Sequence, residues 1–123
     1  MKTAKYYFWG IALACFVHLF AGCPKTDTTV VKINQGAQQA ADAFTTGDTE
    51  QLKSVLTPTS QEQYQDILTD IQQDMKAYGA AFKNRTLQYY TENYAVYTFT
   101  ENGKTYTAAF AHQDDGTWKL VRF

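Results

Sequence analysis

The sequence predicts an α+β fold, three helices packed on a curved four-stranded antiparallel meander. Two observations lead there. Apolar residues recur at helical spacing from Ile33 to Tyr78, and after Gly79 the period drops to two. Asn102-Gly103 and Asp115-Gly116 then separate runs rich in aromatic and β-branched residues, where hairpin turns belong.

Taken in order, Ile33, Ala37, Ala40, Ala41 and Phe44 share one face of a first helix. Thr45-Thr46-Gly47 ends it, with Gly47 free to take a left-handed cap. Asp48 offers an N-cap oxygen to a short second helix, and Gln51 stands three places on, as in a capping box. Leu52, Val55 and Leu56 are its buried side, and Thr57-Pro58-Thr59 breaks it. Ser60 and Gln63 form a second box ahead of the strongest periodic signal: Tyr64, Ile67, Leu68, Ile71, Met75 and Tyr78. Glu62, Asp66, Asp70 and Gln73 occupy the opposite face, Asp74 lies at its edge, and Gly79 is the expected end of this third helix. Strands are expected over residues 83–91, 94–100, 105–110 and 118–123, the first turning at Glu92-Asn93 and the second at Asn102-Gly103 in a type I′ turn.

The N-terminus obeys other rules. Lys2 and Lys5 precede an apolar run, residues 6–20, interrupted only by His18 and the tyrosine hydroxyls. The run is shorter than the roughly 20 residues of a spanning helix. It closes in Leu19-Phe20-Ala21-Gly22-Cys23. This arrangement resembles the signal peptide of a bacterial lipoprotein, although Phe20 stands where an aliphatic residue is usual. The resemblance implies diacylglycerol on Cys23, cleavage between Gly22 and Cys23, and a fatty acyl group such as palmitate on the new amine. It places the chain in the bacterial cell envelope, lipid-anchored, on the inner or the outer membrane. Each buried CH₂ contributes about 0.8 kcal/mol, so several chains on one residue hold firmly.

The expected division is therefore a leader over residues 1–22, a polar, threonine-rich lipidated tether over 23–32 and a domain over 33–123. Cleavage before Cys23 leaves 101 of the 123 residues, with nine basic side chains against twelve acidic ones and a formal charge of −3. Cys15 departs with the leader, so the mature chain has neither a free thiol nor a disulfide. Lys83 and Arg85 stand together without further basic support, which argues against a nucleic-acid partner. Aromatics crowd the C-terminal half, and Tyr89, Tyr97, Phe99, Tyr106, Phe110 and Trp118 are candidate pocket or sheet-face residues.

A first helix leading to Thr46-Gly47-Asp48, a capped second helix and a meander ending in Asp115-Gly116-Thr117-Trp118-Lys119-Leu120 resemble the nuclear transport factor 2-like superfamily. The nearest branch is its small lipoproteins of unknown function. The resemblance covers most of residues 33–123 and implies a cone-shaped domain with a cavity between sheet and helices. It also implies that the sheets of two copies could join in a homodimer. The superfamily holds ketosteroid-isomerase-like and polyketide-cyclase-like enzymes as well as non-catalytic binding and assembly domains, so the fold does not choose between them.

The residues favour no catalytic site. An isomerase-like site needs a base and a hydrogen-bond donor desolvated together. Tyrosines abound, but the carboxylates fall on polar helix faces, at caps or at turns: Asp42, Asp48, Glu50, Glu62, Asp66, Asp70, Asp74, Glu92, Glu101, Asp114 and Asp115. His112 is the single histidine outside the leader, too few for a zinc or copper site, and Asp114-Asp115 lacks the oxygens of a calcium site. No phosphate loop or nucleotide fingerprint occurs. The expectation is a membrane-anchored, non-catalytic domain with no cofactor or metal, binding an envelope protein or a small apolar ligand. The alternative is an enzyme of the isomerase or cyclase type acting on a small apolar ligand.

Overall fold

The computed structural model describes residues 27–123. Four helices precede four strands: α1 (Thr28–Thr46), α2 (Thr49–Val55), α3 (Pro58–Tyr64), α4 (Leu68–Phe82), β1 (Thr86–Tyr90), β2 (Tyr94–Glu101), β3 (Lys104–His112) and β4 (Trp118–Arg122). The expected leader and the lipidation site at Cys23 lie outside the described residues. Among the described residues no helix is long and apolar enough to cross a membrane.

The strands form one antiparallel sheet in the order β1-β2-β3-β4, a meander, as the alternation and turn residues require. Asn102 and Gly103 both have positive φ, 51° and 77°, the geometry a type I′ turn demands. The expectation of a second two-residue turn at Asp115-Gly116 is corrected. That loop spans Gln113 to Thr117: Gly116 N–H donates to Gln113 O, Gln113 N–H donates to Thr117 O, and only Gly116 has positive φ, at 86°. The Asp115 carboxylate accepts from the Thr117 hydroxyl and N–H instead of leading the turn. Irregular register near Gln88 and Val121 bends the two edge strands.

Alternation sorts the sheet into two faces. Ala95, Tyr97 and Phe99 stand opposite Phe110, Ala108 and Tyr106 on the helix side. Val96 and Thr98 stand opposite Ala109 and Thr107 on the other side, which no described helix covers.

The helices differ from expectation in number and bounds. α1 begins at Thr28, not near Ile33, because the Asp27 carboxylate caps it by accepting from Thr29 N–H. Thr28 to Lys32, expected as tether, are its opening turns. Gly47 takes the left-handed cap at φ 71°. Asp48 caps α2 by accepting from Glu50 and Gln51 N–H, while the Gln51 side chain accepts from the Thr46 hydroxyl and so leaves the capping box one-sided.

The expected third helix is two helices. Residues 65–67 form a turn, with Ile67 N–H donating to Tyr64 O. The reason lies in what each half packs against. Thr57 N–H donates to Leu120 O, and the buried Ser60 hydroxyl donates to Val121 O, so α3 is fastened to β4. α4 instead lies along α1. One straight helix cannot follow both directions, and the break leaves Ile67, expected inside, exposed. Thr57, not Ser60, is the cap: its hydroxyl accepts from Ser60 N–H, with Pro58 in the first helical position.

Gly79 does not end α4, which continues to Phe82. It is buried against α1, where a Cβ would stand 2.8 Å from Thr45 N and 2.9 Å from Phe44 Cβ. Gly36 plays the same part toward β4, where a Cβ would meet Trp118 O at 2.5 Å. Around these contacts Ala37, Ala40, Ala41 and Ala43 are wholly buried.

Gly36→Ala should lower unfolding free energy by about 1–2 kcal/mol in urea titration. Overpacking costs about 1–3 kcal/mol and helix propensity returns at most about 1. An unchanged midpoint would show that α1 and β4 can separate without strain.

Candidate functional site

The space between helices and sheet is filled with rings. Phe44 and Tyr78 approach to 4.4 Å between centroids, Phe82 and Phe99 to 5.4 Å, Tyr97 and Phe110 to 5.7 Å, and Tyr64 and Phe123 to 4.8 Å. Most of these pairs are tilted or edge-on, the arrangements ring quadrupoles favour, each adding about 0.5–1.5 kcal/mol beyond the area it buries.

The six candidate aromatics therefore do not share one place. Tyr97, Phe99 and Phe110 are buried in this cluster, and Trp118 is buried where β4 passes beneath Gly36 of α1. Tyr106 is on the helix side but near the β2–β3 turn, where its ring stacks on Phe99 at 5.7 Å and stays exposed. Tyr89 pairs with Val96 on the uncovered side and is 54% exposed, the most exposed large apolar residue described.

Polar chemistry collects at the margins. Along one seam α1 meets the β1–β2 edge: the Tyr90 hydroxyl donates to Asp27, the Tyr97 hydroxyl donates to Asn34 Oδ1, and Arg85 Nη2 donates to Gln38 Oε1 at 3.3 Å. The Arg85 guanidinium also lies 5.0 Å from the Phe82 ring centre and 5.6 Å from that of Tyr97. Burial pushes the Tyr97 phenol above its ordinary value, and Arg85 partly offsets the rise. The Tyr90 hydroxyl first, then Thr29 N–H, hold the Asp27 carboxyl below the ordinary aspartate value of 3.8.

Tyr78 is the exception inside. Its hydroxyl is buried without a hydrogen-bond partner among the described residues. Burial, and then the nearby Tyr64 and Glu101, drive its phenol well above the ordinary value. Periodicity marked Tyr78 as core; the unsatisfied hydroxyl had no signal in the sequence, because it depends on which neighbours close over it.

Described clefts lie at the surface. One, about 420 Å³, is lined by Thr28, Thr29, Lys32, Glu92, Asn93, His112 and Trp118. Sequence reasoning singled out Trp118 and weighed Glu92 and His112 separately, but Lys32 was assigned to the tether. The His112 and Trp118 rings stand 5.3 Å apart there, and His112 N–H donates to Asn93 O, joining the β1–β2 turn to the end of β3. A second cleft, about 240 Å³, is lined by Gln39, Asp42, Gln51, Ser54 and Val55. Among the described residues no group of three or more histidine, cysteine or acidic side chains is placed to hold a metal ion.

Comparison with known proteins gives no match: no family model, no curated protein and no solved structure matches the chain.

Tyr78→Phe should leave stability unchanged or raise it by up to about 1 kcal/mol, since it removes a buried hydroxyl that has no partner. Thermal unfolding of the two forms checks this, and a clear loss would reveal a bond to that oxygen.

The Asp27–Tyr90 pair carries a sign in pH. A carboxyl depressed in the fold stabilises above pH 3.8 and loses that contribution as pH falls through its folded value. A phenol raised in the fold stabilises below pH 10.0 and loses that contribution as pH rises through its folded value. Because each group is the first cause of the other's shift, Asp27→Asn and Tyr90→Phe should each flatten both the acid and the alkaline side of the stability–pH curve measured by urea titration.

Proposed function

We propose that the chain is a bacterial lipoprotein, anchored through Cys23 in the cell envelope, whose domain is a non-catalytic binding or assembly module of the nuclear transport factor 2-like kind. The fold proposal rests on the order of elements, helices and then a meander bent at its edges, and on α1 crossing the helix side of the sheet. The anchor proposal rests on Leu19-Phe20-Ala21-Gly22-Cys23 behind a basic, apolar leader.

One observation supports binding over catalysis. Aromatic rings fill the interior, while the far face of the sheet keeps Tyr89, Tyr94, Thr98 and Thr107 available around a floor of Val96 and Ala109. An open face of hydroxyls and rings, with no described cleft in it, suits a protein surface better than a small ligand, which needs a concave site. The observation that favours the enzymatic alternative is Tyr78, whose unsatisfied hydroxyl stands close enough to Glu101 for that charge to raise it further. An isomerase-like site would use these two groups as donor and base, and Glu101→Gln would abolish its activity.

Mass spectrometry of the protein from its native membrane should find an N-terminal Cys23 carrying diacylglycerol. Cys23→Ser should release the chain from the membrane. Tyr89→Glu should change stability by less than about 0.5 kcal/mol, as exposed substitutions do, while weakening site-specific crosslinking from residue 98 to a partner. An intact Met1 with an unmodified thiol would refute the anchor, and undiminished crosslinking would refute the sheet face.

A further inference from the structure

α1 is capped at Asp27, which leaves only three residues between the first helical cap and Cys23. A chain spans at most about 3.6 Å per residue, so the lipid anchor proposed above, on which this inference rests, holds Asp27 within about 14 Å of the Cys23 Cα, whose sulfur carries the glycerol. Roughly 5–7 Å of that distance is the headgroup layer of one leaflet. The end of the domain beside Asp27 therefore meets the headgroups. That end is where the 420 Å³ cleft opens, with the first turn of α1 on one wall and the β1–β2 turn and the end of β3 on the others.

The chemistry of the cleft is mixed in sign. Lys32 brings an ammonium and Glu92 a carboxylate. Among the described residues the only ion pair joins Lys53 to Glu50, so neither cleft charge is matched by another described residue. Asn93 and the Thr28 and Thr29 side chains add hydrogen-bonding groups, and His112 over the buried Trp118 closes the floor. The Thr29 N–H is already taken by Asp27, so the cleft must act through side chains. Among the described residues at this end, Glu92 in the cleft and Asp27 beside it stand against Lys32. Such an end repels a purely anionic surface and accepts one that carries its own cation.

We propose that this cleft receives the zwitterionic headgroup of a membrane phospholipid, with its phosphate on Lys32 and its ammonium on Glu92, and so sets the domain upright on the bilayer. The bound end is then the α1 N-terminus and the β1–β2 turn, and the Asn102-Gly103 hairpin at the other end of the sheet points away from the membrane.

Trp118 reports on the cleft directly, because Trp9 is removed with the leader. The lipidated protein would be placed in vesicles of unlabelled phosphatidylethanolamine, and of phosphatidylglycerol, each doped with a little phosphatidylcholine whose choline nitrogen carries the spin label and keeps its positive charge. Quenching of Trp118 fluorescence is expected in the first and weaker in the second. Lys32→Glu and Glu92→Lys should each weaken it, by up to about fivefold in apparent headgroup affinity, the scale of an exposed ion pair. Both variants should keep the wild-type circular dichroism spectrum. Equal quenching in the two vesicles, or quenching indifferent to both variants, overturns the cleft while leaving the anchor in place. An unlipidated Cys23 in the mass spectrum overturns the anchor and the cleft together.

Discussion

The close approach of α1 to α4 on one side and to β4 on the other is the constraint on which the rest of the domain depends. Helix axes normally pack 8–10 Å apart, with the distance set by the side chains at the contact. Here the contact is made of the smallest residues available: Gly79 against Thr45, Gly36 against Trp118, and four buried alanines between them. Ile33 and Phe44 are the large side chains that α1 adds to the buried core. The other large side chains of the core come from every remaining helix, from β2, β3 and β4, and from the chain end at Phe123.

That division of labour decides where chemistry can occur. A short domain whose described residues include no cysteine needs dense apolar burial, and interlocked rings supply much of it. The same density leaves the interior poor in polar groups, with Tyr78 as the instructive exception. Hydrogen-bonding and charged groups are displaced to the rim, where α1 meets the β1–β2 edge and where its first turn meets the β1–β2 turn. On the reading proposed above, such a domain would meet its partners at the uncovered sheet face and at the end nearest the chain entry.

The N-terminal cap carries more weight than its size suggests. Asp27 closes α1 by accepting from Thr29 N–H and ties it to β1 by accepting from the Tyr90 hydroxyl, a contact spanning 63 residues. Threonine-rich sequence around it reads as linker because β-branched polar residues have modest helix propensity. The helix nevertheless starts there, since a capped N-terminus already docked on a sheet recovers more than propensity withholds.

The sequence by itself determined what depends on local geometry. The apolar face Ile33, Ala37, Ala40, Ala41 and Phe44 follows from a fixed helical repeat, and all five are buried. The Asn102-Gly103 turn follows from the few residues that accept positive φ, and the strand order follows from short connections that leave neighbours antiparallel. Tertiary structure alone decided the break at 65–67, the role of Gly79 as a contact instead of a terminus, and the exposure of Ile67. It also decided which candidate aromatics are inside and that Lys32, Glu92, His112 and Trp118 share one cleft. The physical reason is the same in each case. Periodicity records which side of an element is apolar, but the direction of its axis is set by bonds from far along the chain, such as Ser60 to the Val121 carbonyl, and no local pattern encodes those.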